Sequence, residues 1–272
     1  MRNLTEGNET KEIILFALPM LIGNVFQQLY NMVDSIVVGQ FVGKQALAAV
    51  GSSFAVLFLM IALIMGVTMG FTILIAQYFG ARDKAKVRAV VDTAYIVLFW
   101  AALVLSVVGI LAVPLILKVL RVPADVAPEA GTYLRILFAG SLATFGYNGV
   151  AAILRGIGDS KTPLYLLIAA SFLNIALDLL FVIAFGWGVA GVAWATIISQ
   201  AASFLGALVL LNKRNEYVRL SVKELRFDPE LFRLSLKLGI PSGIQQTLVA
   251  AGMMVLTDRK STRLNSSHRI RS

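Results

Sequence analysis

Two carboxylates, Asp34 and Asp178, lie well inside long apolar stretches of this 272-residue sequence. An ionised acid is costly there and is usually retained for a function. Asp34 belongs to a polar stripe of Asn24, Gln27, Gln28, Asn31, Asp34 and Ser35, with Tyr30 at its edge. At helical periodicity these side chains fall within about 120° of one another. Amides alone on such a face serve equally as hydrogen bonds between helices. An aspartate among them points instead to a wet cavity. Asn174 and Asp178 are four residues apart and share a helix face. Thr196 lies on the next apolar stretch, about eight residues in from the turn at Gly186–Gly188. At ~1.5 Å per residue, Asp34 and Asp178 fall in the outer half of a bilayer and Thr196 reaches a comparable depth. Two carboxylates, an amide and a hydroxyl at one level suit a proton or a hard cation such as Na⁺. Paired acids in a low dielectric hold one negative charge at less cost than two, which also suits proton uptake.

The elements that must position these groups are membrane helices. A span needs ~20 mostly apolar residues, and six such stretches occur: 13–38, 46–78, 88–117, 131–154, 163–185 and 188–211. A seventh begins near 238 and breaks off at 257. None alternates with the period of two that a barrel strand requires. Asp92 and Arg135 fall near span ends, where they can reach the interface. Pro19 is expected to bend the first helix. The stretch RGIGDSKTP, 155–163, contains Gly-x-Gly without the strand and spacing of a phosphate loop. It reads as a turn, with Asp159 or Ser160 capping the fifth helix and Pro163 opening it.

Lys and Arg concentrate in cytoplasmic loops. The N-terminal segment and the second, fourth and sixth loops hold two, four, two and seven of them. The opposite side has only Lys44, Lys118 and Arg121. This asymmetry places the N-terminus in the cytoplasm. The sixth loop contains SVKELRFDPELFRLSLKLG, an amphipathic stretch of the kind that lies on a membrane surface. After it, IPSGI at 240–244 echoes LPMLI at 18–22, each followed by a Gln pair, as if a second bundle were starting over. The expected organisation is a six-helix lobe at 1–212, a cytoplasmic link at 213–237 and the start of a second lobe at 238–257.

Composition agrees with a membrane class. Hydrophobic residues make up 58% and charged residues 14%, against roughly 25% charged in soluble domains, and the mean hydropathy is +0.81. Cysteine is absent and His268 is the one histidine, so disulfide, thiolate-metal and His-based sites are not expected. The polar N-terminus lacks a cleavable signal pattern.

Residues 258–272 break the pattern. The run from Asp258 to His268 resembles the translation of a common sequencing-library adapter. Five Lys and Arg against one Asp give this tail four of the nine net positive charges, so the basic balance does not imply nucleic-acid binding. The reading frame is therefore expected to run on past codon 257. Long-read sequencing of the source DNA checks this: an open frame for about another six-helix lobe is the expected result, and a native in-frame stop after Ser272 overturns it.

LPMLIGNVFQQLYNMVDSIVVGQFVG, LRGIGDSKTP and LNIALDLLFVIAFGWGVAGVAWATIISQ together resemble the multidrug and toxic compound extrusion (MATE) family. The likeness covers roughly residues 11–257. It implies an all-α polytopic membrane protein of twelve helices in two six-helix lobes, of which this chain carries the N-terminal one. It further implies export of organic cations or amphiphilic drugs against Na⁺ or H⁺, with no cofactor and no metal beyond possible Na⁺. By motif, Asp34, Asn174, Asp178 and Thr196 match the cation-coupling site. Gln27, Tyr30 and Asn148 match the substrate cavity, and Pro19 matches the bending proline. The implied protein is a monomer in the cell membrane, with drug-like molecules and the bilayer as its partners. The second lobe is missing, so the fragment as written is not expected to transport.

Other readings stay open. A lipid-linked oligosaccharide flippase of the same superfamily would line its cavity with several Arg or Lys for diphosphate, and the spans carry no deep cationic cluster. A membrane-embedded enzyme would need a paired-acid metal motif or a nucleophile, and DDxxD, HExxH and GxSxG are all absent. A purely structural membrane protein would leave two deep aspartates without a purpose.

Overall fold

The computed structural model describes residues 9–214, 218–221, 223–245 and 248. The tail and the end of the seventh apolar run lie outside them. Helix α1 (Glu9–Val37) continues through Pro19 and passes into a π turn, Val38–Val42. Proline lacks an amide hydrogen and deprives the carbonyl one turn earlier of its partner. Helix α2 (Lys44–Gly80) and α3 (Lys84–Val119) follow, the latter capped by Asp83, whose carboxylate accepts from Lys86 N at 3.1 Å.

The expected single span at 131–154 is two helices, α4 (Ala127–Ala139) and α5 (Ser141–Gly156), bent by 50° at Gly140. A Cβ at Gly140 would overlap the Ile197 side chain, so the break sits against α7. Hydropathy runs unbroken across the bend and gives no sign of it. Helix α6 (Lys161–Leu179) ends in a second π turn, Leu180–Ala184. Asp159 caps α6 by accepting from Lys161 N and Thr162 N. Positive φ at Gly186 (67°) and Gly188 (57°) lets the chain reverse into α7 (Gly188–Arg214), because glycine has no Cβ to clash there. A last helix, α8, spans residues 229–245.

Five of these helices are long and apolar enough to cross a bilayer, and the bent pair α4–α5 is a sixth when counted as one span. No strand occurs among the described residues. Leu59, Val108, Leu111 and Leu205 are all more than half exposed, as a lipid-facing belt requires. Lipid tails are as apolar as leucine, so close packing and polar contacts must hold the helices together. Phe71, Ile75, Val90 and Ile153 fill the core at the basic end, where the Arg- and Lys-rich turns lie. Met60, Ile64, Phe138 and Phe145 fill the middle, and Val37, Val38, Leu137 and Val192 the opposite end. Helix α1 packs chiefly against α6.

Packing in the middle layer is tight enough to test. A Cβ at Gly109 would overlap the Phe138 ring, and a buried ring has no flexible end to yield. Gly109→Val is expected to cost about 1–3 kcal/mol, read as a lower thermal midpoint of the detergent-solubilised chain.

Candidate functional site

The stretches that carry Asp34, Asn174, Asp178 and Thr196 fold onto one another. Asn174 and Asp178 sit one turn apart on α6 and are fully buried. Asp34 reaches them from α1 and Thr196 from α7. The Asn174 amide, oriented to satisfy its neighbours, donates to Asp34 Oδ1 at 2.9 Å and to Asp178 Oδ2 at 3.2 Å. Its oxygen faces the Thr196 amide nitrogen at 3.2 Å. The two carboxyl groups are also within hydrogen-bonding reach of each other. One oxygen, Asp178 Oδ1, is buried with no donor among the described residues. A buried acceptor without a partner is costly, and a proton or cation shared with Asp34 would supply what it lacks. Among the described residues no group of three or more His, Cys, Asp or Glu could hold a metal ion, so the donor set is two carboxylates with neutral neighbours.

Each aspartate is followed closely by a π turn: Val38–Val42 after Asp34, and Leu180–Ala184 after Asp178. Such turns often accompany functional sites because they re-aim the helix around them. No sequence signal marked them.

Below this cluster, toward the basic end, is a cavity of about 200 Å³. Gln27, Tyr30 and Asn148 all line it. Tyr30 joins cavity to cluster: its hydroxyl donates to Thr196 Oγ1 at 3.2 Å, and Thr196 Oγ1 donates to Val192 O at 3.0 Å. Pro19 lies about three turns nearer the basic end of α1 than Tyr30 and is buried. Asn24 and Gln28 of the stripe are exposed and do not line the cavity.

Sequence reasoning missed six of the ten polar lining residues: Thr144, Tyr147, Ser171, Ser199, Gln200 and Ser203. The signal was present. Thr196, Gln200 and Ser203 are spaced four and three residues apart on α7, and Ser171, Asn174 and Asp178 three and four apart on α6, each a single helix face. Thr144 Oγ1 donates to the Gln200 side-chain oxygen, and Asn148 Nδ2 donates to Thr144 O at 2.8 Å. The lining contains ten polar residues and no charged one.

Asp92, expected at the interface, is buried and paired with Arg88, Nε to Oδ1 at 3.0 Å. A partner one turn away on α3 offsets its charge, while Asp92 Oδ1 accepts no hydrogen bond among the described residues.

Residues 19–180 match the MatE family model. The chain is 34% identical over 254 residues to Probable multidrug resistance protein YpnP of Bacillus subtilis, covering 93% of this chain and 57% of that protein. It is 38% identical over 247 residues to Probable multidrug resistance protein YoeA of the same organism, covering 88% and 53%. Among solved structures, a MATE protein in its straight conformation superposes with a TM-score of 0.85 at 32% identity, covering 94% of this chain and 57% of that one. A MOP-superfamily transporter from Pyrococcus furiosus gives 0.85 at 31%, covering 94% and 56%. The chain thus spans about half the length of the curated relatives it matches. With an all-helical six-span bundle that superposes on these structures, the chain belongs to the MATE family.

Proposed function

We propose that this chain is the cation-binding lobe of a secondary active multidrug exporter, with Asp34 and Asp178 carrying the coupling ion and Asn174 and Thr196 as its neutral ligands. The observation that carries the reading is the donorless Asp178 oxygen beside Asp34, buried at a depth where two ionised acids are costly. A bound Na⁺ or proton offsets that cost, and inward release restores it.

The substrates are organic cations or amphiphilic drugs, held in the cavity by Gln27, Tyr30 and Asn148. A neutral polar lining next to a negative cluster favours them. The absence of Arg and Lys from that lining supports this reading over a diphosphate-bearing lipid. The Tyr30–Thr196 hydrogen bond lets drug and ion favour different states of α1, as an antiporter requires, and Pro19 is the pivot. The exporter works as a monomer in the cell membrane, and the reaction needs no enzymatic step and no cofactor.

The test is ethidium efflux from energised cells carrying the complete gene. Collapse of the Na⁺ or the H⁺ gradient should stop efflux and thereby name the ion. Efflux that survives the loss of both gradients overturns the reading. Topology is checked separately. The chain has no native cysteine, so an impermeant maleimide added outside is expected to label Arg121→Cys and to spare Lys161→Cys.

A further inference from the structure

Asp34 and Val38 are four residues apart, and so are Asp178 and Val182. Each acid therefore has a valine stacked about one turn farther from the basic end of its own helix, within the π turn that follows it. Both valines are buried and belong to one apolar cluster with Val189 and Val192 of α7. The two π turns are in contact with each other and with α7. A Cβ on Gly188, at the start of α7, would stand 3.5 Å from Val42 Cγ1 of the first turn. The α1 and α6 chains thus meet at two levels. Acid stands against acid, and one turn outward π turn stands against π turn.

The outward level is firm on both sides. Gly43 N donates to Val38 O and Phe185 N to Leu180 O, each at 3.1 Å. These bonds span five residues where an α-helix spans four. Beyond the second turn the Phe181 ring stacks on Trp187 with centroids 4.9 Å apart, and Phe185 packs on the same indole at 5.5 Å. Trp187 N donates to Phe181 O at 2.9 Å, which closes the turn onto α7. Valine keeps essentially one side-chain rotamer in a helix. Neither Val38 nor Val182 can swing aside to let the turns slide together.

We infer that the paired π turns are a spacer for the acids below them, and that Val38 and Val182 are positioning residues that fix how far Asp34 stands from Asp178. Two carboxyl groups can share one proton or cation only while they remain neighbours. Hydrogen bonds around such a pair change when the shared ion arrives or leaves. An apolar contact one turn away does not, so it can hold the geometry ready for capture. The inference rests on the transport reading for the purpose of this spacing and not for its existence.

The measurement is labelling of the solubilised full chain by a hydrophobic carbodiimide, read residue by residue by peptide mass spectrometry. The reagent modifies protonated carboxyl groups in apolar surroundings, and a carboxyl group held by its neighbour reacts more slowly. Val38→Ile and Val182→Ile each add one methylene to a filled contact, which shifts the backbone around it. Each is expected to raise labelling of Asp34 and Asp178 about fivefold, the equivalent of one net hydrogen bond. Val113→Ile adds the same methylene in the middle layer and should leave the pair at the parental rate. Asp92, buried near the basic end of α3, should keep its parental rate in every variant. Parental labelling of the pair in both π-turn variants overturns the inference. A rise shared by Val113→Ile or by Asp92 overturns it as well, because that is general loosening. Should an Ile variant aggregate, Val182→Ala, which takes the spacer away, decides by the same comparison, and an unchanged pair overturns the inference. Labelling needs neither drug nor gradient, so a failed efflux assay leaves this result standing.

Discussion

Asp178→Asn is expected to abolish gradient-driven ethidium efflux by the whole transporter, and Asp34→Asn to do the same. The physical case is the cost of an ionised aspartate at depth, about 2.5–3.5 kcal/mol on insertion scales. That cost is what cation binding relieves, and it corresponds to roughly a hundredfold or more in occupancy. Asparagine keeps the shape and removes the charge, so the site no longer gains by capturing an ion. Folding should survive, because a buried acceptor that lacks a donor becomes a neutral amide. Matched expression and an unchanged or raised thermal midpoint would separate lost coupling from lost protein. Parental efflux by both variants would remove the pair from the mechanism.

Asn174→Leu should be the most damaging change near the site for stability. The amide is fully buried and gives one hydrogen bond to each carboxyl group, one on its own helix and one on α1. Hydrogen bonds to charged groups are worth about 1.5–3 kcal/mol each. Leucine has a similar volume but leaves both acids without that donor. Because α1 packs chiefly against α6, the bond to Asp34 is one of the few polar ties that hold it. Thermal unfolding in detergent should show a clearly lower midpoint. The stabilisation that a saturating coupling ion confers on the parent should also be lost. A Leu variant as stable and as ion-responsive as the parent would show that the amide does not bridge the pair.

Much of this architecture was legible because a bilayer constrains sequence so strongly. Six apolar stretches of spanning length can only be helices, and their bounds agree with the observed spans to within a few residues at most ends. Asp34, Asn174, Asp178 and Thr196 could be grouped by depth, since rise per residue converts position into height. What depth could not give was azimuth. Counting residues does not say that α1 turns Asp34 toward α6, and the structure supplies that. The bend at Gly140 and the two π turns were hidden because hydropathy is blind to backbone hydrogen-bond register. The Arg88–Asp92 pair was hidden because an interfacial anchor and a buried ion pair look alike in sequence. The amphipathic pattern of residues 221–239 does not say what its apolar face meets, and the structure packs Leu231 into the protein core.

The pairing of α1 with α6 also sets a schedule for synthesis. Asp34 and its partner Asn174 are 140 residues apart in the chain. A ribosome adding about 5–20 residues per second needs roughly 7–30 s to make that stretch. Throughout that time the polar stripe of α1 has left the ribosome and its partner helix does not exist. Lipid offers no groups to satisfy an aspartate and several amides. The insertion machinery must therefore shelter α1 until α6 emerges, so α1 is seated only after the helices between them have been made.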